Sequence, residues 1–181
     1  ARYGFEGTTN KLIAKEAGLN SASLIYHYFP SKTSLFEACL NSFRVMDDLQ
    51  KMLENEQGKP PEEYLTLVGM TYQHILRDPR LSKFVPMFIG TMQSHQELIP
   101  LLVKRIETVL WLPISKYLKK KTEEGILKPI PAQSGLQIFL GPIIIRLISP
   151  AFLGKSSISD GESDEEFIKH LVDVFLQGAK K

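Results

Sequence analysis

The chain of 181 residues has a single cysteine, Cys39. One thiol cannot build a disulfide framework within a chain, and this composition fits a reducing cytoplasm. Cys39 lies in the helical apolar pattern Leu35-Phe36-Glu37-Ala38-Cys39-Leu40, so the expectation is a small buried hydrophobe. No glycine-rich phosphate loop occurs; Gly58 and Gly125 read as helix punctuation. The four histidines, His27, His74, His95 and His170, form no close pair in the sequence, and only His27 lies near the cysteine. That spacing suits neither a metal centre nor a nucleophile with its base. Glu62-Glu63 and Glu165-Glu166 read as helix starts rather than acid/base pairs. These absences lead to the expectation of a protein that is not an enzyme and needs no metal or cofactor.

Long apolar runs are also missing. The most apolar stretch, Leu136 to Leu153, is interrupted by Gln137, Pro142, Arg146 and Pro150, and falls short of the ~20 uninterrupted residues that a membrane span needs. It reads as a buried helix of a soluble protein with no membrane partner. No signal peptide is visible at the start, Ala1-Arg2-Tyr3-Gly4-Phe5, which favours a cytoplasmic location. Net charge is only +2, too mild to argue for nucleic acid by itself, because clustering on one face decides that question. Residues 1–43 hold four cations, Arg2, Lys11, Lys15 and Lys32, against three anions, Glu6, Glu16 and Glu37.

What is present is helix. No period-2 alternation persists, so the fold class is all-α. Short helices fit Asn10 to Ala17 and Ser21 or Ala22 to Phe29. A longer one is expected from near Ser31 to about Glu56, ending before Gly58-Lys59-Pro60-Pro61. Pro61-Glu62-Glu63 opens another, with proline and acids at its positive end and a stripe of Leu65, Val68, Tyr72, Ile75 and Leu76. A short segment is expected at Leu81 to Phe84, and a helix from Pro86 through Met92. Further helices are expected over Glu97 to Glu124, kinked at Pro113, over Pro131 to Phe152, and from Asp164 onward. Lys119-Lys120-Lys121 suits the negative end of the first of these, and Gly125 its C′ position. The natural split falls near Phe43: a small domain over 1–43 and a larger helical domain over 44–181.

The small domain carries the informative pattern. Thr8-Thr9 supplies N-cap hydroxyls before Asn10. Ile13, Ala14 and Ala17 share one face, and small Ala14 lets a second helix cross closely. Gly18 permits a sharp turn, and Leu19 is expected to plug the corner. Ile25 and Tyr28 or Phe29 face back onto the first helix. This is the arrangement of a helix-turn-helix. The second helix then presents Ser21, Ala22, Ser23, Tyr26 and His27 outward, with Leu24 at the border. Small residues let such a helix enter a major groove, hydroxyls bond phosphates or base edges, and an apolar Leu24 or Ala22 suits a thymine methyl. Lys32 opens the next helix, where an ammonium and backbone N–H groups can share one phosphate.

The segment GFEGTTNKLIAKEAGLNSASLIYHYFPSKTSLFEACL resembles the DNA-binding motif of the tetracycline repressor (TetR) family. Shared features are the aromatic after Gly4, Thr8-Thr9, Ile13-Ala14, Ala17-Gly18, the run Tyr26-His27-Tyr28-Phe29, and Ser31-Lys32. By position, the resemblance implies that Thr8 and Thr9 cap the first motif helix, one of them touching phosphate. Ser21, Ala22, Ser23, Leu24 and His27 face the groove, Tyr26 and Lys32 hold phosphates, and Tyr28 and Phe29 pack inward. The family has a helix before Gly4, so the sequence given starts at the last turn of that helix and lacks the rest. The stretch between Gly18 and Phe29 is one residue longer than the family's commonest form. The other 138 residues resemble the family in architecture only, as a divergent helical domain that dimerises and binds a small ligand.

The resemblance places a ligand pocket among Met70, His74, Phe84, Met87, Phe88, Met92, Trp111 and Tyr117, on helices that usually surround the family's cavity. Methionines and aromatics suit a deformable apolar pocket and a hydrophobic or amphipathic effector. The apolar helix Pro131 to Phe152 is expected to need cover on both sides, from the core and from a partner subunit across a two-fold axis. The expected function is a homodimeric, one-component transcriptional regulator. It acts as a repressor on a near-palindromic double-stranded operator and is released by a small effector. A helical ligand-binding or interaction dimer whose head no longer binds DNA is the alternative.

Overall fold

The computed structural model describes residues 4–42, 44–77, 94–153 and 161–179. The expected elements at Leu81 to Phe84 and Pro86 to Met92 lie outside the described residues. Helices account for the architecture, and no extended strand occurs among the described residues. The chain divides into two compact units. The first is Ala1–Arg44 with Pro79–Arg105; the second is Val45–Asp78 with Ile106–Lys181. The sequence reading places 94–105 with the larger domain, whereas in the structure these residues pack with the N-terminal segment.

In the first unit, α1 (Gly4–Gly7) is a single turn and stands where the resemblance expects the end of a first helix. Helices α2 (Asn10–Glu16), α3 (Ser23–Tyr28) and α4 (Lys32–Asn41) follow. The helix expected from Ser31 to Glu56 is two helices. α4 stops at Ser42, whose hydroxyl and N–H both bond the Cys39 carbonyl, and α5 (Arg44–Asn55) starts afresh. No glycine or proline marks this break. Residues 94–105 add a 3-10 turn, Gln96–Leu98, and the start of α7 (Ile99–Ile106). Buried Phe36, Leu40 and Leu98 form the core here, with Phe5, Leu101 and Leu102 packed on it. Cys39 is exposed, against expectation. The inward positions of α4 are Phe36 and Leu40, four apart, and Cys39 falls beside that line.

The second unit is built on α6 (Pro61–Leu76), α8 (Leu112–Glu123), α9 (Ala132–Leu153) and α10 (Asp164–Ala179). Between α7 and α8 the chain keeps turning through a π-helical stretch, Glu107–Trp111. The cause is Pro113, which has no N–H and whose ring crowds the carbonyl four residues back, at Val109; a wider turn relieves that crowding. The expected kink is therefore a local widening. Gly125, at φ +75°, ends the next helix: its N–H bonds the Thr122 carbonyl at 3.0 Å, and the Ile126 N–H bonds Lys121 at 3.0 Å. Lys121 itself is buried, with Nζ 2.8 Å from Glu124 Oε2 and 5.6 Å from the Tyr117 ring centre. Ser163 and Glu166 cap α10 reciprocally.

Buried Leu65, Val68 and Tyr72 of α6 bear out the first three positions of the stripe read from the sequence; the side chains of Ile75 and Leu76 lie outside the described residues. They join Ile114 and Leu118 of α8, Leu136, Phe139 and Ile143 of α9, and Ile168, Val172 and Phe175 of α10 in the core. Among the described side chains of α9, Ile138, Ile144 and Ile145 are exposed, as is Val174 of α10.

Candidate nucleic-acid interface

The geometry of the turn between α2 and α3 follows from a few residues. Thr9 has extended backbone and its hydroxyl accepts the Leu12 N–H at 3.2 Å, which fixes the start of α2. Thr8 is half-buried and its hydroxyl donates to the Gly4 carbonyl at 2.5 Å, so it ties α1 to the start of α2. At the far end Gly18 adopts φ +67°, a conformation that side chains oppose. The Leu19 N–H then bonds Ala14 at 2.8 Å and the Gly18 N–H bonds Lys15 at 3.2 Å, which closes the helix. Leu19 is 40% exposed, so it does not plug the corner. Ser21 Oγ accepts the Ser23 N–H at 3.2 Å and lies 2.7 Å from Ser23 Oγ, a local hydroxyl turn that leads into α3.

Helix α3 buries Ile25, as α2 buries Ala14. Ser21, Ser23, Leu24, Tyr26 and His27 are exposed and Ala22 is half-buried. Tyr28 corrects the expectation: it is 72% exposed. The helix stops at Tyr28, and Phe29, half-buried, follows in extended backbone at φ −131° and ψ 102°. The His27 and Tyr28 rings meet edge to face, 5.2 Å between centres. Sequence reasoning missed Tyr28 because it continued the helical period one residue too far.

Lys32 opens α4, behind a reciprocal cap in which Ser31 and Ser34 exchange hydroxyl and N–H bonds at 3.0 and 3.1 Å. Its ammonium is already engaged. Nζ donates to the Glu6 carbonyl at 3.3 Å and lies 4.5 Å from the Phe5 ring centre. An ammonium has three donors, so a phosphate can still be shared.

The residues proposed from the sequence for a ligand pocket are scattered in their surroundings. Met70 and Trp111 are half-buried and His74 is exposed. Tyr117 is fully buried, its ring stacked on Tyr64 and its hydroxyl donating to the Lys59 carbonyl at 2.8 Å. Phe84, Met87, Phe88 and Met92 lie outside the described residues. A shallow pocket of about 190 Å³ lies between α6 and α10, lined by Glu62, Thr66, Lys169, Val172, Asp173, Leu176 and Gln177, none of them predicted. The sequence reading also passed over Gln73. It is 4% exposed within the inward stripe of α6, and its Oε1 has no hydrogen-bond partner among the described residues. Its place one turn after Gly69 was open to helical periodicity.

Among the described residues no group of histidine, cysteine and carboxylate side chains is placed to hold a metal ion. No helix among them is long and apolar enough to cross a membrane. Residues 1–39, the turn and both its helices, match the family model of bacterial regulatory proteins, tetR family. That match covers the N-terminal segment alone. Solved structures share its fold over nearly the whole length. A TetR-family transcriptional regulator from Mesorhizobium loti aligns with a TM-score of 0.78 at 20% identity, over 99% of this chain and 90% of the other. The flavonoid-responsive regulator FrrA aligns at 0.75 and 22%, over 98% and 89%. A TetR family transcriptional regulator from Pseudomonas syringae pv. tomato aligns at 0.63 and 19%, over 98% and 88%. None of the curated proteins is similar enough to count as a match. The described residues have the all-α fold of these structures, and residues 1–39 are of the type that the tetR family model describes.

Proposed function

We propose that the protein is a homodimeric repressor that reads a near-palindromic operator and is released by a small amphipathic ligand. The observation that carries the reading is the outward face of α3. Ser21, Ser23, Leu24, Tyr26, His27 and Tyr28 stand exposed together behind a turn fixed by Gly18, with Lys32 and the start of α4 alongside. Ser23 and His27 can bond base edges, Leu24 can meet a thymine methyl, and the two tyrosine hydroxyls reach for phosphate. Two such heads in one dimer would enter successive major grooves about 34–36 Å apart.

The dimer reading is supported by Ile138 and Ile145, seven residues apart on α9, and by Val174 of α10, which are 60%, 53% and 67% exposed. Side chains of this kind on one helix face are normally covered. The ligand reading is supported by Gln73: a buried amide acceptor without a partner is unfavourable until a donor reaches it. A ligand with an apolar body and a hydroxyl would supply one. FrrA is named for its response to flavonoids, which are compounds of that kind. Ligand binding would act by favouring a dimer whose heads are spaced wrongly for the operator.

The test is selection of duplexes from a random pool by the full-length protein. Enrichment of a near-palindrome with half-sites one helical turn apart supports the reading. A pool that stays random after repeated rounds removes it.

A further inference from the structure

Two carboxylates close on one imidazole in the first unit. His95 Nδ1 lies 2.9 Å from Glu97 Oε1, and His95 Nε2 meets Glu6 Oε1. An ionised carboxylate only accepts hydrogen bonds, and a neutral imidazole has one N–H to give. Both contacts are satisfied together only when both ring nitrogens carry protons. The partners come from different elements: Glu6 is on α1, and Glu97 is in the 3-10 turn that leads into α7.

The same ring is tied to the DNA-binding head. His95 packs edgewise on Phe5, 4.6 Å between centres, and Phe5 packs edgewise on Phe36 of α4 at 5.7 Å. Lys32 rests over Phe5 and bonds the Glu6 carbonyl. Glu6 and Phe5 thus hold His95 with their side chains and hold Lys32 through a carbonyl and a ring.

We propose that His95 is a proton-operated clasp. As imidazolium it fastens α1 to the turn before α7; on losing its proton it releases one carboxylate and loosens the seat of Lys32. Among the described residues, the charged groups on the elements packed here are Glu6 of α1, Lys32 and Glu37 of α4, Glu97 in the ring's own turn, and Lys104 and Arg105 of α7. The hydrogen bond to Glu97, then that to Glu6, holds the His95 pKa above its ordinary value, and the same Glu97 bond lowers the Glu97 carboxyl. A raised histidine pKa fixes the sign. The clasp is closed below the unfolded histidine's pKa and opens as pH rises through the folded value. DNA affinity should therefore fall with rising pH through this group.

Two measurements test it, and they fail separately. In the full chain, ring titration by NMR should give His95 a pKa above the ordinary histidine value of about 6.5. Glu97→Gln should lower it, and Gly7 and Phe5 resonances should move with the His95 midpoint. A His95 midpoint at or below about 6.5, or α1 resonances that ignore it, overturns the clasp. In the second measurement, the wild type and His95→Phe are compared by fluorescence anisotropy on a random-sequence duplex of about 30 base pairs, at about pH 6 and about pH 8 and constant ionic strength. The wild type should lose about threefold more affinity than His95→Phe over that interval, the scale of one exposed charged hydrogen bond. Equal losses overturn the coupling to DNA, since the two chains differ at position 95 alone. Should His95→Phe fail to fold, Glu97→Gln takes its place with the same expected sign.

Discussion

Tyr64 lies flat on Tyr117: the ring centres are 3.7 Å apart and the planes 10° from parallel. Both rings are fully buried, and the Tyr117 hydroxyl donates to the Lys59 carbonyl. The pair joins α6 to α8 and also seats the loop before α6. A residue expected to line a ligand pocket is therefore committed to the core. Tyr117→Phe keeps the stack and leaves the part-buried Lys59 carbonyl without its donor. It should cost about 1 kcal/mol of stability, read from the urea midpoint, and leave ligand affinity unchanged. A change in affinity with unaltered stability would return Tyr117 to the pocket.

Burial also governs the alkaline limit of the fold. Tyr72 is pushed up to about 12 by desolvation, and burial raises Tyr64 and Tyr117 as well. In the folded state these phenols hold their protons at pH values where the unfolded chain has lost them. Their contribution is fully present below the ordinary tyrosine value of about 10 and is lost as pH rises toward the folded values. Urea midpoints should hold steady up to about pH 10 and then fall. The fall should be shallower in Tyr72→Phe. Identical slopes in the two proteins would show that Tyr72 ionises freely in the folded chain.

Helix α10 crosses α6 at a glycine. A Cβ at Gly69 would stand 2.8 Å from both Cδ1 and Cγ2 of Ile168, which is itself fully buried. Gly69→Val should destabilise by about 2 kcal/mol, since the larger side chain overfills a packed contact. Gly69→Ala should cost less, because replacing glycine inside a helix returns about 1 kcal/mol. Thermal unfolding of the three proteins should rank glycine first, alanine second and valine last. Valine equal to glycine would mean that the two helices part easily here.

The sequence made the punctuated parts of this structure legible. Gly18 and Gly125 end helices at positive φ, Pro61 with two acids starts α6, and Ala14 and Ile25 are buried as their spacing requires. Each rests on a local rule of backbone conformation or period. The misses fall where local rules stop. Ser42 ends α4 through its own hydroxyl bond, with no glycine or proline to announce it. Tyr28 is exposed because the helix ends one residue before the aromatic run does. The contact between His95 and Glu6 spans 89 positions, and no pattern in a single sequence pairs such residues.

In the proposed division of labour, the exposed face of α3 reads sequence while Lys32 holds the backbone. Its most direct test is a salt series on the full-length protein with two duplexes: the one selected from a random pool and a scramble of it. Three chains are compared, the wild type, His27→Ala and Lys32→Ala. The wild type should prefer the selected duplex by at least about a thousandfold. His27→Ala should erode that preference by about 1–3 kcal/mol. Lys32→Ala should weaken both duplexes alike and lower the salt slope by about 1. Equal affinity of the wild type for the two duplexes, or a preference that His27→Ala leaves intact, would contradict the claim.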